Sequence, residues 1–159
     1  KALFFVTADA AIKNRLPVKE IIKQGHLIGN HSFSHKKLRF LSGSVLKKEI
    51  VDSKSAIEDI TGSPVVYFRP PYGAFDPFVL KAITDSRQKC VMWSLLSGDY
   101  LGIRKDTEKV IRNYLNSDSI IVYHDNLKSK NTIIESLKST IQIANEKDYK
   151  IGEPSECLS

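Results

Sequence analysis

The sequence lacks the features that mark several common classes of protein. Its 159 residues include only two cysteines, Cys90 and Cys157, which form neither a disulfide framework nor a CxxC metal motif. No apolar run reaches the roughly 20 residues that cross a bilayer, and no internal repeat or low-complexity segment is present. The sequence therefore predicts one globular domain without a membrane-spanning segment.

The chain also lacks a long block of one charge. It carries 24 Lys and Arg residues against 18 Asp and Glu residues, which gives a formal charge of +6. The lysines are scattered through amphipathic stretches such as "LKKEIVDSK" (46–54) and are not interleaved with aromatic residues in one basic segment. We therefore predict no nucleic-acid partner, although this charge also suits an anionic cell-wall polymer.

Short apolar runs rich in β-branched and aromatic residues alternate with amphipathic stretches. We predict strands over residues 2–6, 26–30, 65–69, 89–93 and 119–124, and a weak sixth over 149–152. Strands that alternate with helices run parallel, and the helices pack outside them. The sequence thus predicts an α/β fold.

Helix start and stop signals separate these strands. Pro17 and Gly25 bound the first predicted helix, Gly62 ends the second, and the third spans 76–87. Asp106 is expected to cap the fourth helix. The second helix is expected to bury Leu46, Ile50, Ile57 and Ile60, and the fifth, from Thr132, to bury Ile133, Leu137, Ile141 and Ala144.

Polar residues capable of chemistry follow four of the predicted strands. The segment "NHSFSH" (30–35) follows the second strand, "RPPYG" (69–73) the third, "SGDY" (97–100) the fourth and "HDN" (124–126) the fifth. Sheets and barrels of the α/β class place their active sites at the carboxyl ends of their strands. We therefore expect these segments to carry the function.

His31 and His35 have a spacing that lets two imidazoles bind one metal ion. The alternative is a pair of ordinary polar residues that face solvent. Two histidines are also too few for a complete catalytic site, which commonly has three protein ligands and one open position.

Two further groups have a catalytic and a structural interpretation. Arg69 has the charge to orient a carboxylate while the prolines fix the Tyr72 backbone N–H, or "RPPYG" is an ordinary surface turn. His124 and Asp99 are separately more typical of a structural histidine and a loop aspartate. Because both follow neighbouring strands, an acid–base pair is the better interpretation.

These motifs, in this order, resemble the polysaccharide deacetylase family (NodB homology domain, carbohydrate esterase family 4). The segment "GHLIGNHSFSH" (25–35) is similar to the family's "GHEIGNHTxSH", and "KALFFV" (1–6) is similar to its "KATFFV" strand. "RPPYG" and "IIVYHD" (120–125) match its third and fifth motifs. The resemblance covers nearly the whole chain and implies a single domain over 1–159 with a distorted (β/α) barrel fold.

The resemblance implies a role for each matching residue. His31 and His35 would bind a divalent metal, with Zn²⁺ as the expected ion. Arg69 would orient the catalytic base, and His124 would be the general acid tuned by Asp99.

The same resemblance implies a set of substrate contacts. The Tyr72 backbone N–H would stabilise the oxyanion, Val122 would line the acetyl pocket, and Tyr100 would replace a tryptophan of the groove. Pro70 would complete the substrate-binding residues.

One family motif is not found in the 159 residues. The motif "TFDDG" precedes the segment that "KALFFV" resembles, and its two aspartates provide the general base and the third metal ligand. Asp9 in "TADA" follows that strand and is expected to cap a helix instead. We therefore expect a domain without its first strand, inactive as the sequence stands.

The function implied is metal-dependent removal of N-acetyl, or alternatively O-acetyl, groups from a carbohydrate such as chitooligosaccharide, peptidoglycan or xylan. A cell-envelope or extracellular location goes with such a substrate. Two alternatives stay open: a non-catalytic glycan-binding pseudoenzyme, and a related C–N hydrolase that acts on a small amide or imide.

Overall fold

The computed structural model describes residues 1–101 and 104–158, without the side chains of residues 104 and 105. The chain forms two compact units, one made of residues 1–92 with the C-terminal residues from 153, the other of residues 93–152. Each unit has its own parallel sheet. The expectation of a single domain over 1–159 stays a prediction.

The sheet of the first unit has four strands in the spatial order β1-β2-β3-β4. They are β1 (Leu3–Val6), β2 (Leu27–Asn30), β3 (Tyr67–Phe68) and β4 (Lys89–Cys90), and every pairing is parallel. In β1 and β2, Phe5 lies opposite Gly29. Because the strands are parallel, the segments after β2 and β3 leave the same edge of the sheet.

Helices connect these strands and cover the sheet. They are α1 (Ala8–Lys13), α2 (Arg15–Lys23), α3 (Gly43–Lys47), a π-helix (Lys48–Asp52), α4 (Ser53–Thr61) and α5 (Pro77–Asp85). Gly62 ends α4 with a left-handed φ of 68°, as the sequence predicts. Two apolar clusters form the core, one around Ile28 and Ile57 and one around Phe68 and Ile83.

The second unit contains a two-stranded parallel sheet and two helices. Its strands are β5 (Leu95–Leu96) and β6 (Ile121–Val122), and its helices are α6 (Arg104–Tyr114) and α7 (Ile133–Glu146). Its core is formed by Leu95, Ile111, Leu115, Ile143 and Ala144. The chain closes with α8 (Pro154–Cys157). No helix among the described residues has the length and apolar character needed to cross a bilayer.

The fourth strand is shorter than predicted, because a side chain takes the backbone carbonyls that follow it. Instead of one strand over 89–93, β4 ends at Cys90, and the Arg69 guanidinium takes the carbonyls of Val91 and Met92. A further strand, β5, follows, so "SGDY" lies after the fifth strand and not after the fourth. Residues 149–152 form no strand, so that prediction is wrong.

The prediction for the buried face of α7 is partly wrong. Leu137 and Ile141 are 38% and 49% exposed, whereas Ser136, Thr140, Ile143 and Ala144 are buried. The buried face therefore includes Ile143 but is rotated away from Leu137 and Ile141. Small and hydroxyl-bearing residues permit close packing, and the Thr140 hydroxyl donates to the Ser136 carbonyl at 2.9 Å.

Two predicted helix caps are also wrong. Thr7 caps α1, since its side chain accepts a hydrogen bond from the Ala10 N–H, and Asp9 lies in the first turn instead. Asp106 lies within α6, which already includes Arg104. In both helices the acidic residue occupies the first turn, where it interacts favourably with the helix dipole.

Candidate active site

The segment after β2 brings the two predicted metal ligands together. The ring centroids of His31 and His35 are 4.8 Å apart, with the ring planes at 71°. The backbone N–H of His31 donates to the Val6 carbonyl at 2.9 Å, which extends the contact between β1 and the segment after β2. The two side chains are therefore neighbours, as ligands of one ion must be.

A hydrogen bond fixes the orientation of the His31 ring. Its Nδ1 atom lies 2.6 Å from the carbonyl oxygen of Arg69. Because a carbonyl oxygen only accepts, Nδ1 carries the proton and Nε2 carries the lone pair. Metal-binding histidines commonly use this arrangement. The Arg69 carbonyl thus links the loop after β2 to the turn after β3.

The loop that presents the histidines has a strained backbone. The φ angle is +71° at Ser32 and +60° at His35. Each left-handed residue with a Cβ costs about 1–2 kcal/mol, so neighbouring groups must fix this conformation. The Ser32 N–H donates to Asn30 Oδ1, and the His35 N–H donates to Ser32 Oγ, both at 3.0 Å.

Glu49 holds the middle of this loop, and the sequence interpretation missed it. Its carboxylate is 1% exposed and accepts the backbone N–H groups of Phe33 and Ser34 on Oε2, at 3.0 and 2.9 Å. The Ser34 hydroxyl donates to Oε1 at 2.6 Å. One feature of the sequence indicated this role: the helical spacing places Glu49, next to Ile50, on the face that is expected to be buried.

The π-helix supports the same loop through adjacent residues. Lys48 lies over the Phe33 ring at 5.1 Å, and the Ile50 carbonyl accepts from Asn30 Nδ2 at 3.0 Å. The Ser53 hydroxyl donates to Asn30 Oδ1 at 3.0 Å. Short π-helical segments occur frequently at functional sites. Here the segment turns consecutive side chains and carbonyls towards the loop after β2.

Arg69 is fixed by backbone carbonyls and by an aromatic ring. Its Nε and Nη2 atoms donate to the carbonyls of Val91 and Met92 at 3.1 and 3.2 Å. The guanidinium carbon lies 4.2 Å from the Phe5 ring centroid. Burial lowers the pKa of Arg69 to about 10, and Cys90 acts in the opposite direction. The side chain stays charged at neutral pH, and its role in orienting a base stays a prediction.

The turn after β3 presents the Tyr72 backbone. Residues Pro71–Gly73 form a 3₁₀ turn in which Tyr72 has a φ of +59°. Pro70 is buried and its carbonyl accepts the Gly73 N–H at 3.0 Å. Among the residues that the structure describes, no acceptor is bonded to the Tyr72 N–H. This donor is therefore available to an oxygen of a bound molecule, as an oxyanion-binding role requires.

In the second unit, Asp99 and His124 form the predicted pair. Asp99 is fully buried, and its Oδ1 lies 3.0 Å from His124 Nδ1. Its Oδ2 accepts the His124 backbone N–H at 2.6 Å. The Ser97 hydroxyl also donates to Asp99 Oδ1, at 2.7 Å. With its Nδ1 proton held by a carboxylate, His124 presents Nε2 for proton transfer.

The electrostatic surroundings keep Asp99 ionised. Burial raises the pKa of its carboxyl, but the hydrogen bonds from the His124 ring, the His124 backbone and the Ser97 hydroxyl outweigh burial. The net result is a pKa below the ordinary value. Hydrogen bonds to the charged form have this effect. Asp99 is therefore an anion at neutral pH.

Two predicted substrate contacts lie in the same unit as this pair. The Tyr100 ring packs edge-on against the His124 ring, with centroids 5.3 Å apart, and its side chain is exposed. Val122 lies in β6 and is 7% exposed. Tyr100 is thus accessible to a ligand, whereas Val122 mainly packs against the protein. Their roles towards substrate stay predictions.

The imidazole pair fits a divalent metal as two of its ligands. The rings are adjacent, and the Arg69 carbonyl sets the tautomer of His31 that metal binding requires. Within residues 1–101 and 104–158, no cluster of three or more His, Cys, Asp and Glu side chains has the geometry to hold a metal ion. The roles of His31 and His35 as metal ligands stay predictions.

Solved structures define the class of the fold. A CE4 family pseudoenzyme from Bacillus anthracis has a TM-score of 0.90 and 24% identity, over 99% of this chain and 55% of that one. A peptidoglycan N-acetylglucosamine deacetylase has a TM-score of 0.91 and 23% identity, over 98% and 73%. The predicted α/β deacetylase fold is confirmed.

The sequence comparison then gives the family. The profile of the polysaccharide deacetylase family matches residues 1–91, which is more than half of the chain, and the chain belongs to this family. A peptidoglycan-N-acetylglucosamine deacetylase from Bacillus cereus is 32% identical over 127 residues, 78% of this chain. The chain spans 46% of the length of that relative.

A second relative has the same level of identity. The peptidoglycan-N-acetylglucosamine deacetylase PgdA of Listeria monocytogenes is 32% identical over 145 residues, 87% of this chain and 30% of the relative. Because the chain is much shorter than both proteins, the activity of the whole protein is a matter for proposal.

Proposed function

We propose that the protein hydrolyses acetyl groups of a carbohydrate polymer, with N-acetylated peptidoglycan as the substrate we favour. The observation that carries the proposal is the Asp99–His124 pair, in which one buried carboxylate accepts both the ring and the backbone N–H of the same histidine. Family membership and the names of the relatives support the substrate class. A cell-envelope location follows from such a substrate.

His31 and His35 are the residues to which we assign metal binding. We propose that they bind a divalent cation, Zn²⁺ in the first instance. When bound, this ion supplies Lewis-acid polarisation of the acetyl carbonyl and acidification of water. The Tyr72 N–H donates to the carbonyl oxygen as negative charge develops there, since none of the described residues accepts a hydrogen bond from it.

His124 is the residue to which we assign the role of general acid. In its protonated form, Nε2 donates a proton to the departing amine nitrogen as the C–N bond breaks. The Asp99 carboxylate holds the ring by Nδ1 and interacts favourably with the imidazolium charge. Three hydrogen-bond donors fix Asp99 itself, so the ring is oriented before substrate arrives.

The test measures acetate release from N-acetylated peptidoglycan by the complete natural polypeptide supplied with Zn²⁺. His124→Gln is expected to lower kcat by about 10²-fold or more without weakening Zn²⁺ binding. His26→Gln is a matched control, because His26 precedes β2 at the opposite end of that strand. This control is expected to keep both properties.

Two outcomes contradict the proposal. If His124→Gln weakens Zn²⁺ binding as strongly as it lowers kcat, His124 is a metal ligand and not the acid. If the zinc-loaded natural protein releases no acetate but still binds the glycan, the protein is a glycan-binding pseudoenzyme.

A further inference from the structure

Positive charge is concentrated directly after the candidate metal ligands. Residues 31–48 include no Asp or Glu, while the whole chain has a formal charge of +6. The cations of this segment are Lys36, Lys37, Arg39, Lys47 and Lys48. The segment is an exception to the scattered lysines on which the sequence interpretation rested.

The first three of these cations are exposed and lie close to His35 in sequence. Lys36 and Lys37 have no ion-pair partner among the residues that the structure describes, whereas Lys47 pairs with Asp52 at 3.0 Å. Arg39 interacts with Asp76, whose oxygens accept backbone N–H groups at 2.9 and 3.2 Å. The positive charge of Lys36 and Lys37 is therefore not neutralised by the protein.

Aromatic rings hold two of the cations. The Lys37 ammonium lies 5.8 Å from the Tyr72 ring centroid, and the Arg39 guanidinium carbon lies 5.0 Å from the Phe40 centroid. A cation over a ring face is restrained, but its N–H donors can still bind an anion. The Tyr72 ring also contacts the His35 ring, with centroids 4.9 Å apart. Through the Tyr72 ring, Lys37 is thus connected to the candidate metal site.

Phe40 has an unusual conformation for a large apolar residue. It is 86% exposed and has a φ of +63°, and its N–H is held by Asp76 at 3.2 Å. Asp76 also caps α5, which carries a second exposed ring, Phe78, at 81%. A strained and exposed aromatic residue costs stability, so such an observation points to a role in binding.

We propose that Lys36, Lys37, Arg39, Phe40 and Tyr72 form a basic–aromatic shelf that binds an acidic glycan through its carboxylates. Ammonium and guanidinium groups bind carboxylates with charge-assisted hydrogen bonds. The Tyr72 and Phe40 rings restrain two of these cations. The inference rests on the proposed function, because the shelf adjoins His35, one of the proposed ligands of the metal that polarises the acetyl carbonyl.

Single-stranded nucleic acid is the competing polyanion. It requires aromatic faces on which successive bases stack. In the shelf, each of the two rings already carries a cation over it. A short row of three cations next to a candidate metal ligand therefore fits a glycan carboxylate better than a stacked base.

The test measures binding, not hydrolysis. Isothermal titration calorimetry compares peptidoglycan fragments that carry free carboxylates with the same fragments after amidation. We expect free carboxylates to increase affinity about tenfold at low salt, and this difference to shrink between about 50 and 300 mM NaCl because exposed charges are screened.

The double variant Lys37→Gln/Arg39→Gln is expected to lose the preference for free carboxylates. Lys13→Gln/Lys19→Gln removes the same charge from exposed positions in α1 and α2 and is expected to keep that preference. All four positions are exposed, so the variants are expected to stay folded, which circular dichroism checks.

Three results would overturn the inference: equal affinity for free and amidated fragments, equal losses in the two double variants, or tighter binding of a single-stranded oligonucleotide. The result is separable from the proposed function. A protein that prefers free carboxylates but releases no acetate supports the shelf and contradicts the deacetylase. A protein that releases acetate without this preference supports the deacetylase and contradicts the shelf.

Discussion

Replacing Glu49 tests whether a buried carboxylate maintains the strained loop that carries the histidines. In Glu49→Leu, the N–H groups of Phe33 and Ser34 and the Ser34 hydroxyl lose their acceptor. A buried donor without a partner costs about 1–3 kcal/mol. Since Phe33 and Ser34 are half-buried, we take the lower part of this range for each and expect a total loss of about 2–4 kcal/mol.

Glu49→Gln is the matched control. Its amide oxygen can take the place of Oε2 and accept both backbone N–H groups, while its NH₂ group donates to the Ser34 oxygen. We expect this variant to lose no more than about 1 kcal/mol, the net value of one ordinary hydrogen bond. Urea unfolding followed by circular dichroism measures both free energies of unfolding.

Amide hydrogen exchange locates the effect. In the wild-type protein the amides of Phe33 and Ser34 are expected to be protected, and in Glu49→Leu they are expected to exchange faster than the amides of β1 and β2. If Glu49→Leu unfolds at the same urea concentration as the wild type with both amides still protected, the reasoning is refuted. If Glu49→Gln is as damaging as Glu49→Leu, the negative charge matters and not the hydrogen bonds.

Asp99→Asn should lower stability at pH 7. The folded pKa of Asp99 is below its unfolded value of about 3.9. The carboxylate therefore contributes to the free energy of unfolding above that value, and this contribution is lost as pH falls through the folded pKa. Urea unfolding should show the free energies of unfolding of variant and wild type converging in acid. Cys157 is exposed and should react quickly with a thiol reagent. Burial raises the pKa of the Cys90 thiol, so Cys90 should react more slowly. Equal reaction rates of the two thiols would contradict this prediction. Gly29→Ala should destabilise the protein, because the new Cβ would lie 2.6 Å from the Phe5 ring; an unchanged melting temperature would contradict it.

The alternation of strands and helices and the location of the polar residues after strands were predictable from the sequence. Alternating apolar runs and helical periodicity are local properties, and the motifs at 30–35 and 69–73 lie at strand ends as expected. The Asp99–His124 contact was also predicted, because parallel neighbouring strands bring the segments that follow them together.

The features that were predicted wrongly or missed depend on contacts between residues distant in sequence. Nothing near residues 89–93 indicates that Arg69 takes the carbonyls of Val91 and Met92 and ends β4. The helical spacing places Glu49 beside the buried Ile50, but only the loop 30–35 provides the partners of its carboxylate. The buried face of α7 was misjudged because apolar character alone was used, without the close packing that Ser136 and Thr140 permit.

The contact between Gly29 and Phe5 has a consequence for how the family can change its sequence. The Phe5 ring fills the space that a side chain at position 29 would occupy, and the same ring lies against the Arg69 guanidinium. A larger residue at position 29 requires a smaller one at position 5, which removes the surface on which Arg69 rests. Among natural homologues we therefore expect substitutions at these three positions to covary, and a lone replacement of Gly29 to be rare.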